Sequence, residues 1–188
     1  MINGPVLLLV NGHPTSGKTR LAEYLGRELR WPVVSKDAIK ERLFDFFGPG
    51  TRERSRQLGR ASVEILFAQV EALLQAGGSQ IVDSPLRPEH EDARVTRLQQ
   101  TYGCSAVQII LTGQKAALYG RYRARAFSPD RHHGHREQEF LDEIEDRLGS
   151  LHPALHVPTE LIAVDTTDFS KVNYGEILGR VRATAGLD

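Results

Sequence analysis

The sequence predicts an α/β fold: one five-stranded parallel sheet with helices on both faces. Two observations carry this. Five short apolar runs, at 5–10, 33–35, 80–83, 105–111 and 161–165, alternate with helical patterns, and apolar strands between helices need cover on both sides. The first run leads directly into Gly12-His13-Pro14-Thr15-Ser16-Gly17-Lys18-Thr19 and then into a helical pattern. That is G-x-x-x-x-G-K-[ST], the Walker A phosphate loop, in its strand–loop–helix setting.

The elements follow in order. After the loop, Leu21, Leu25 and Leu29 recur every four residues along one helical face. Trp31-Pro32 ends that helix, since proline lacks a donor and restricts the residue before it. Residues 33–35 form a second strand. A helix over 36–47 follows, with Ile39, Leu43, Phe46 and Phe47 as its expected buried face, and Gly48-Pro49-Gly50 stops it. A long helix spans about 54–76, with Leu58, Ala61, Ile65, Ala68, Ala72 and Ala76 as its stripe. Residues 80–83 are a third strand ending in Asp83. Pro88 opens a polar helix reaching about 102. Residues 105–111 are a fourth strand and 114–126 a helix. The turn-rich stretch 128–134 precedes a helix over 136–148, with Phe140, Leu141, Ile144 and Leu148 inward. A fifth strand at 161–165 and a helix at 174–183 close the chain. The expectation is a single domain over 1–188, with a lid at about 114–148.

Composition narrows the function. Of 188 residues, 40% are hydrophobic and 26% charged, and 24 Lys and Arg balance 24 Asp and Glu. A general nucleic-acid or membrane-surface binder leans basic, so any basic patch here is local. Cys104 is the single cysteine, which leaves no intrachain disulfide and fits a reducing compartment. The N-terminal apolar run is short and lacks a basic leader, and no stretch approaches a membrane span in length. The expected location is cytoplasmic.

The loop explains itself chemically. It must wrap a polyphosphate closely, so Gly12 and Gly17 supply backbone freedom. The amides of His13, Pro14's neighbours, Thr15 and Ser16 and the new helix's N-terminus face the anion. Within the loop, the backbone of His13 matters more than its ring. Lys18 reaches the β- and γ-phosphates, and the Thr19 hydroxyl ligates Mg²⁺. The expected ligands are therefore ATP and Mg²⁺.

Asp37 lies where the second strand passes into a helix, at the end of the sheet that also carries the loop. It is a candidate general base for an attacking hydroxyl, with Lys40 one turn on to hold the substrate. A helix cap is the other reading of an aspartate there. Asp83 ends an apolar strand as a Walker B carboxylate does; it serves Mg²⁺ through water or binds the substrate hydroxyl. Arg87, in the next loop, is a further substrate candidate. From 113 to 136 the chain holds Lys115, Arg121, Arg123, Arg125, Arg131 and Arg136 against Asp130. This reads as a lid that neutralises transition-state charge, with Arg121, Arg123 and Arg125 closing over the nucleotide. The other reading is a solvated basic helix paired with Glu137, Glu139, Asp142, Glu143, Glu145 and Asp146, an acidic run expected to form a wet helix face. His132-His133-Gly134-His135 lacks a cysteine partner, and its histidines are expected to be exposed or to contact phosphate rather than hold a metal.

These motifs resemble those of the P-loop small-molecule and polynucleotide kinases: the 5′-hydroxyl polynucleotide kinases, chloramphenicol phosphotransferase and the zeta-toxin kinases. The resemblance covers most of the chain. It rests on the loop at 12–19, S-K-D-x-x-K at 35–40, I-V-D-S at 81–84 and R-x-x-x-R at 121–125. It implies strand order 2-3-1-4-5, Asp37 as general base, Lys40 as a substrate grip, Arg121 near the adenine and Arg125 on the phosphates. Arginine is usual at the position of Lys40, and lysine cannot make arginine's bidentate phosphate grip. The leading expectation is an ATP-dependent kinase, with Asp37, Lys18 and Arg125 catalytic, acting on a hydroxyl-bearing small molecule (nucleoside, sugar or antibiotic-like). A 5′-hydroxyl polynucleotide kinase, and a nucleotide switch or ATPase without an acceptor, are the alternatives.

Overall fold

The strand that leads into the loop is the most enclosed part of the chain. In a computed structural model that describes residues 4–148 and 152–187, β1 (Val6–Gly12) is buried along its whole length. Its pleat sends Leu7 and Leu9 to one face and Val6, Leu8 and Val10 to the other, so both faces need cover.

The remaining strands are β2 (Val33–Ser35), β3 (Gln80–Asp83), β4 (Ser105–Thr112) and β5 (Thr159–Asp165). All pairings are parallel, in the order β2-β3-β1-β4-β5. Because β1 pairs with β3 on one side and β4 on the other, the chain reverses direction across the sheet there. Ligands of open α/β sheets settle at such a crevice, beyond the strands' carboxyl ends.

One face is covered by α1 (Lys18–Leu29) and α7 (Tyr174–Ala185), through Leu21, Leu25, Ile177 and Val181. The other is covered by α3 (Arg52–Gln75) and α4 (Pro88–Tyr102), through Leu66, Val70, Leu74, Val95 and Leu98. α2 (Lys36–Phe47) packs on α3, and α5 (Lys115–Ala126) packs on α6 (Leu141–Arg147) around Leu118, Tyr122, Ile144 and Leu148. No helix among the described residues is long and apolar enough to cross a membrane.

The expected elements form, but three faces differ. On α3 the buried set is Ser55, Leu58, Ser62, Leu66, Phe67, Val70 and Leu74, while Ala68, Ala72 and Ile65 face out. Burying a large side chain yields about 1.5–3 kcal/mol, more than an alanine stripe offers, so the helix is turned toward its large residues. On α2, Phe44 is buried, whereas Phe46 and Phe47 are 81% and 53% exposed. Phe44 is sealed by the segment after α5: His132 stacks on it, His135 meets it edge-on, and a Cβ at Gly134 would fall on its ring. Finally, the helix expected over 136–148 starts as a 3-10 turn at Glu137–Phe140 before α6, and another 3-10 turn, His133–His135, precedes it. Ile144 and Leu148 point inward as expected, while Phe140 and Leu141 are only half-buried.

Candidate functional site

The loop between β1 and α1 takes its shape from its backbone. Gly12 has φ +138° and Gly17 φ +89°, and Thr15 also sits at positive φ, +62°. A Cβ on Gly12 would fall on the Leu111 carbonyl, and one on Gly17 would lie 2.8 Å from Phe169. Glycine is thus required twice, by conformation and by space. α1 starts at Lys18, so its first-turn N–H groups, which have no intrahelical partner, open toward the loop. The Thr15 hydroxyl donates to the Leu118 carbonyl at 2.8 Å and ties the loop to α5. Ser16 is fully buried.

Behind the loop lies a bracket with no sequence signal. The Asn11 side chain donates to the Leu86 carbonyl at 3.0 Å and accepts from the Leu86 and Gly12 amides at 2.9 and 2.8 Å. His152, close to Asn11 Oδ1 and the Leu86 carbonyl, meets His13 edge to face at 5.2 Å. Burial, then the His13 charge, pushes His152 down to about 4. This bracket holds the loop after β3 against the phosphate loop.

Beside the loop is a cleft of about 910 Å³. His13, Pro14, Thr15, Gly17, Lys18 and Thr19 line it, as do Asp37, Lys40, Asp83, Arg87, Arg121 and Arg125. Residues scattered from 13 to 125 in sequence therefore share one space. Gly12 and Ser16 lie behind the lining, and Arg123 is exposed and outside it.

The Lys18 ammonium donates to the His13 carbonyl at 2.7 Å. Burial lowers it to about 8, against the pull of Asp83 and Asp37. Asp83 accepts from the Thr19 hydroxyl at 2.7 Å and the Ser35 hydroxyl at 3.1 Å. Burial raises its carboxyl, opposed by Thr19, Lys18 and Ser35. Asp83 thus faces the loop's hydroxyl. Ser35 caps α2 by position, so Asp37 is not the cap but sits in the first turn. Lys36 lies 3.6 Å from one Asp37 oxygen and Arg131 3.6 Å from the other. Burial works to raise Asp37, but Lys36, His135, Arg131 and Lys18 outweigh it and hold the carboxyl at about 2.

Around Asp37 stands an ion-pair cluster that sequence reasoning missed. Glu137, placed in the expected wet acidic face, is buried. It takes two hydrogen bonds from Arg125, at 3.0 and 2.6 Å, and two from Arg131, at 3.0 and 2.7 Å. Arg131 also reaches Glu41 at 3.3 Å. His135 Nε2 is 2.8 Å from Glu41, and His132 Nε2 is 3.0 Å from Asp45. Two of the histidines expected to be exposed or on phosphate are instead docked on α2. Arg121 donates to the Thr166 and Thr167 carbonyls and stacks 3.9 Å over Phe169. Arg87 lies 3.6 Å from Glu89 at the cleft's rim.

The family model for the AAA domain matches residues 7–151. The crystal structure of a candidate kinase from Chloroflexus aurantiacus j-10-fl is 32% identical, covering 97% of this chain and 99% of that one, with a TM-score of 0.89. A sugar kinase from Janibacter sp. HTCC2649 is 18% identical over 96% of this chain and 94% of that one, with a TM-score of 0.59. The tunicamycin resistance protein of Deinococcus radiodurans is 16% identical over 98% and 96%, with a TM-score of 0.57. These two share the fold alone. No curated protein matches the chain. A phosphate loop at the switch point of a 2-3-1-4-5 sheet, with these matches, places the chain in the AAA domain family, among the P-loop kinases.

Proposed function

We propose that the protein is an ATP- and Mg²⁺-dependent kinase that phosphorylates a hydroxyl of a small molecule. The observation that carries this is that Asp37 and the phosphate loop line one cleft. Lys18 and the loop amides bind the β- and γ-phosphates. Arg125 balances charge on the transferred group, and Arg121 with Phe169 borders the base. The Thr19 hydroxyl and Asp83, 2.7 Å apart, are the oxygen set that a hard cation takes; Thr19 would ligate Mg²⁺ and Asp83 would hold its water shell. When bound, the ion neutralises phosphate charge.

Asp37 orients the acceptor hydroxyl and takes its proton. The acceptor oxygen bonds to the γ-phosphorus while the bond from that phosphorus to the bridging oxygen breaks, and ADP leaves with the electron pair. A weakly basic carboxylate suffices, since the proton departs late in a loose transition state. The segment 114–148 acts as the lid, its Arg125 and Arg131 joined by Glu137.

The cleft of about 910 Å³ suits a nucleotide and a small acceptor together. The test is purified protein with ATP and Mg²⁺ against a library of hydroxyl compounds, read by mass gain of a phosphoryl group. Asp37→Asn is expected to cut transfer by about 10²–10⁴-fold while ADP still binds. ADP release that no acceptor stimulates would overturn the reading in favour of an acceptor-free ATPase.

A further inference from the structure

The chain carries equal numbers of basic and acidic side chains, but the cleft does not. Eleven Lys and Arg line it against four Asp and Glu. Some of this charge faces the nucleotide phosphates: Lys18, Arg125 and the loop. The excess on the α2–α3 wall lies on the Asp37 side and has no such role.

Four α3 positions line that wall at helical spacing: Arg52, Ser55, Arg56 and Gly59. Arg52 is engaged, paired with Glu143 and stacked on Phe140. Arg56 makes no hydrogen bond, ion pair or ring contact among the described residues and is exposed to the cleft. From α2, the Lys40 ammonium donates to Ser55 Oγ at 3.1 Å and lies over the Phe44 ring. No carboxylate pairs with it among the described residues. Burial, then the nearby Lys36 and Arg131 charges, lowers Lys40 to about 8, against the pull of Asp37.

Gly59 completes the wall. It lies inside a 24-residue helix, where glycine costs about 1 kcal/mol relative to alanine. A Cβ there would meet only the Lys40 side chain, at 3.7 and 3.8 Å. Leaving it out keeps open the space in front of Lys40. Asp37 and Lys40 sit three residues apart on α2, on one face. A group anchored on Lys40 therefore sets another part of the same molecule about one helical turn away, roughly 5 Å, at Asp37.

We infer that the acceptor is a hydroxyl compound bearing a small anionic group, a carboxylate or phosphate monoester, seated between Lys40 and Arg56 beside Gly59. This rests on the kinase reading above and narrows its acceptor class.

The test loads the protein with Mg²⁺ and the non-hydrolysable analogue AMP-PNP, which occupies the nucleotide half. Matched pairs are then titrated by calorimetry: glucose against gluconate, and ribose against ribose 5-phosphate. At least one anionic member is expected to bind at least tenfold more tightly than its neutral partner, and which pair responds separates carboxylate from phosphate. Arg56→Gln, on an exposed side chain, and Lys40→Met are each expected to weaken that anion about tenfold, and more than they weaken its neutral partner, while leaving AMP-PNP affinity as it was. The same pairs are run with ATP and scored for phosphoryl mass gain. Equal binding of neutral and anionic members, or anion binding that neither variant weakens, overturns the inference. Transfer to neutral members without preference also overturns it and leaves the kinase standing. Anion binding lost in both variants, with no acceptor in the library stimulating ADP release, keeps the anion seat and retires the kinase.

Discussion

The phosphate loop and the ion-pair cluster across the cleft from it are built by opposite means. The loop is local: Gly12 at the end of β1 and the five residues between β1 and α1, whose function lies in backbone angles at Gly12, Thr15 and Gly17. The cluster is dispersed: Asp37 and Glu41 from α2, Arg125 from α5, and Arg131, His135 and Glu137 from the turns beyond. Its function lies in side-chain charges that meet only after folding. A backbone-built site tolerates exchange at its variable positions and fails at its glycines and its lysine. A charge-built site shares its burden among partners, and removing a shared carboxylate takes an ion pair from each arginine that it joins.

The comparison can be broken or sharpened at several points. The largest effect is expected from Lys18→Met: steady-state ADP release with acceptor should fall by about 10³-fold, with the fold intact by circular dichroism. A loss under tenfold would mean that the loop does not direct the chemistry. Next comes Glu137→Ala, which removes the carboxylate shared by Arg125 and Arg131. Unfolding stability, read from denaturant midpoints, should drop by about 3 kcal/mol. A variant as stable as the parent would show the cluster to be loosely solvated. Gly12→Ala should cost about 2 kcal/mol of stability and abolish nucleotide binding, since its φ of +138° and the Leu111 carbonyl both reject a side chain.

A subtler effect concerns pH. Lys18 is held at about 8 in the free protein, and bound phosphate anions raise it. Nucleotide binding therefore takes up a proton above pH 8, and ADP affinity should fall by up to about tenfold per pH unit from there until the bound-state value is reached. Lys18→Met should flatten that slope; an unchanged slope would assign the titration elsewhere. Smallest of all is Lys115→Ala. Its 3.7 Å pair with Glu145 joins two half-exposed side chains, and loss of it should move stability by less than about 1 kcal/mol.

Much of the scaffold was legible because apolar runs and glycine or proline stops are local signals. The strands at 33–35 and 80–83 and the helix at 36–47 appear with the expected bounds. The side of α3 that packs inward was not legible, because Ala61, Ile65, Ala68, Ala72 and Ala76 form as regular a stripe as the larger residues do. Packing decided in favour of Leu66, Phe67, Val70 and Leu74. Glu137 was misread for a related reason: an acidic residue beside other acidic residues looks solvated until two arginines from elsewhere close on it.

By itself, then, the sequence determined the parallel sheet, the phosphate loop and the loop's position between β1 and α1. Hydrophobic period, glycine placement and a contiguous motif act within a few residues of chain. Only the tertiary structure decided that Asp83 joins Thr19 and Ser35, that Arg131 stands beside Asp37, and that Lys40 and Arg56 share a wall opened by Gly59. Those relations depend on Coulombic and steric contact between residues far apart in the chain, and no local pattern encodes such distances.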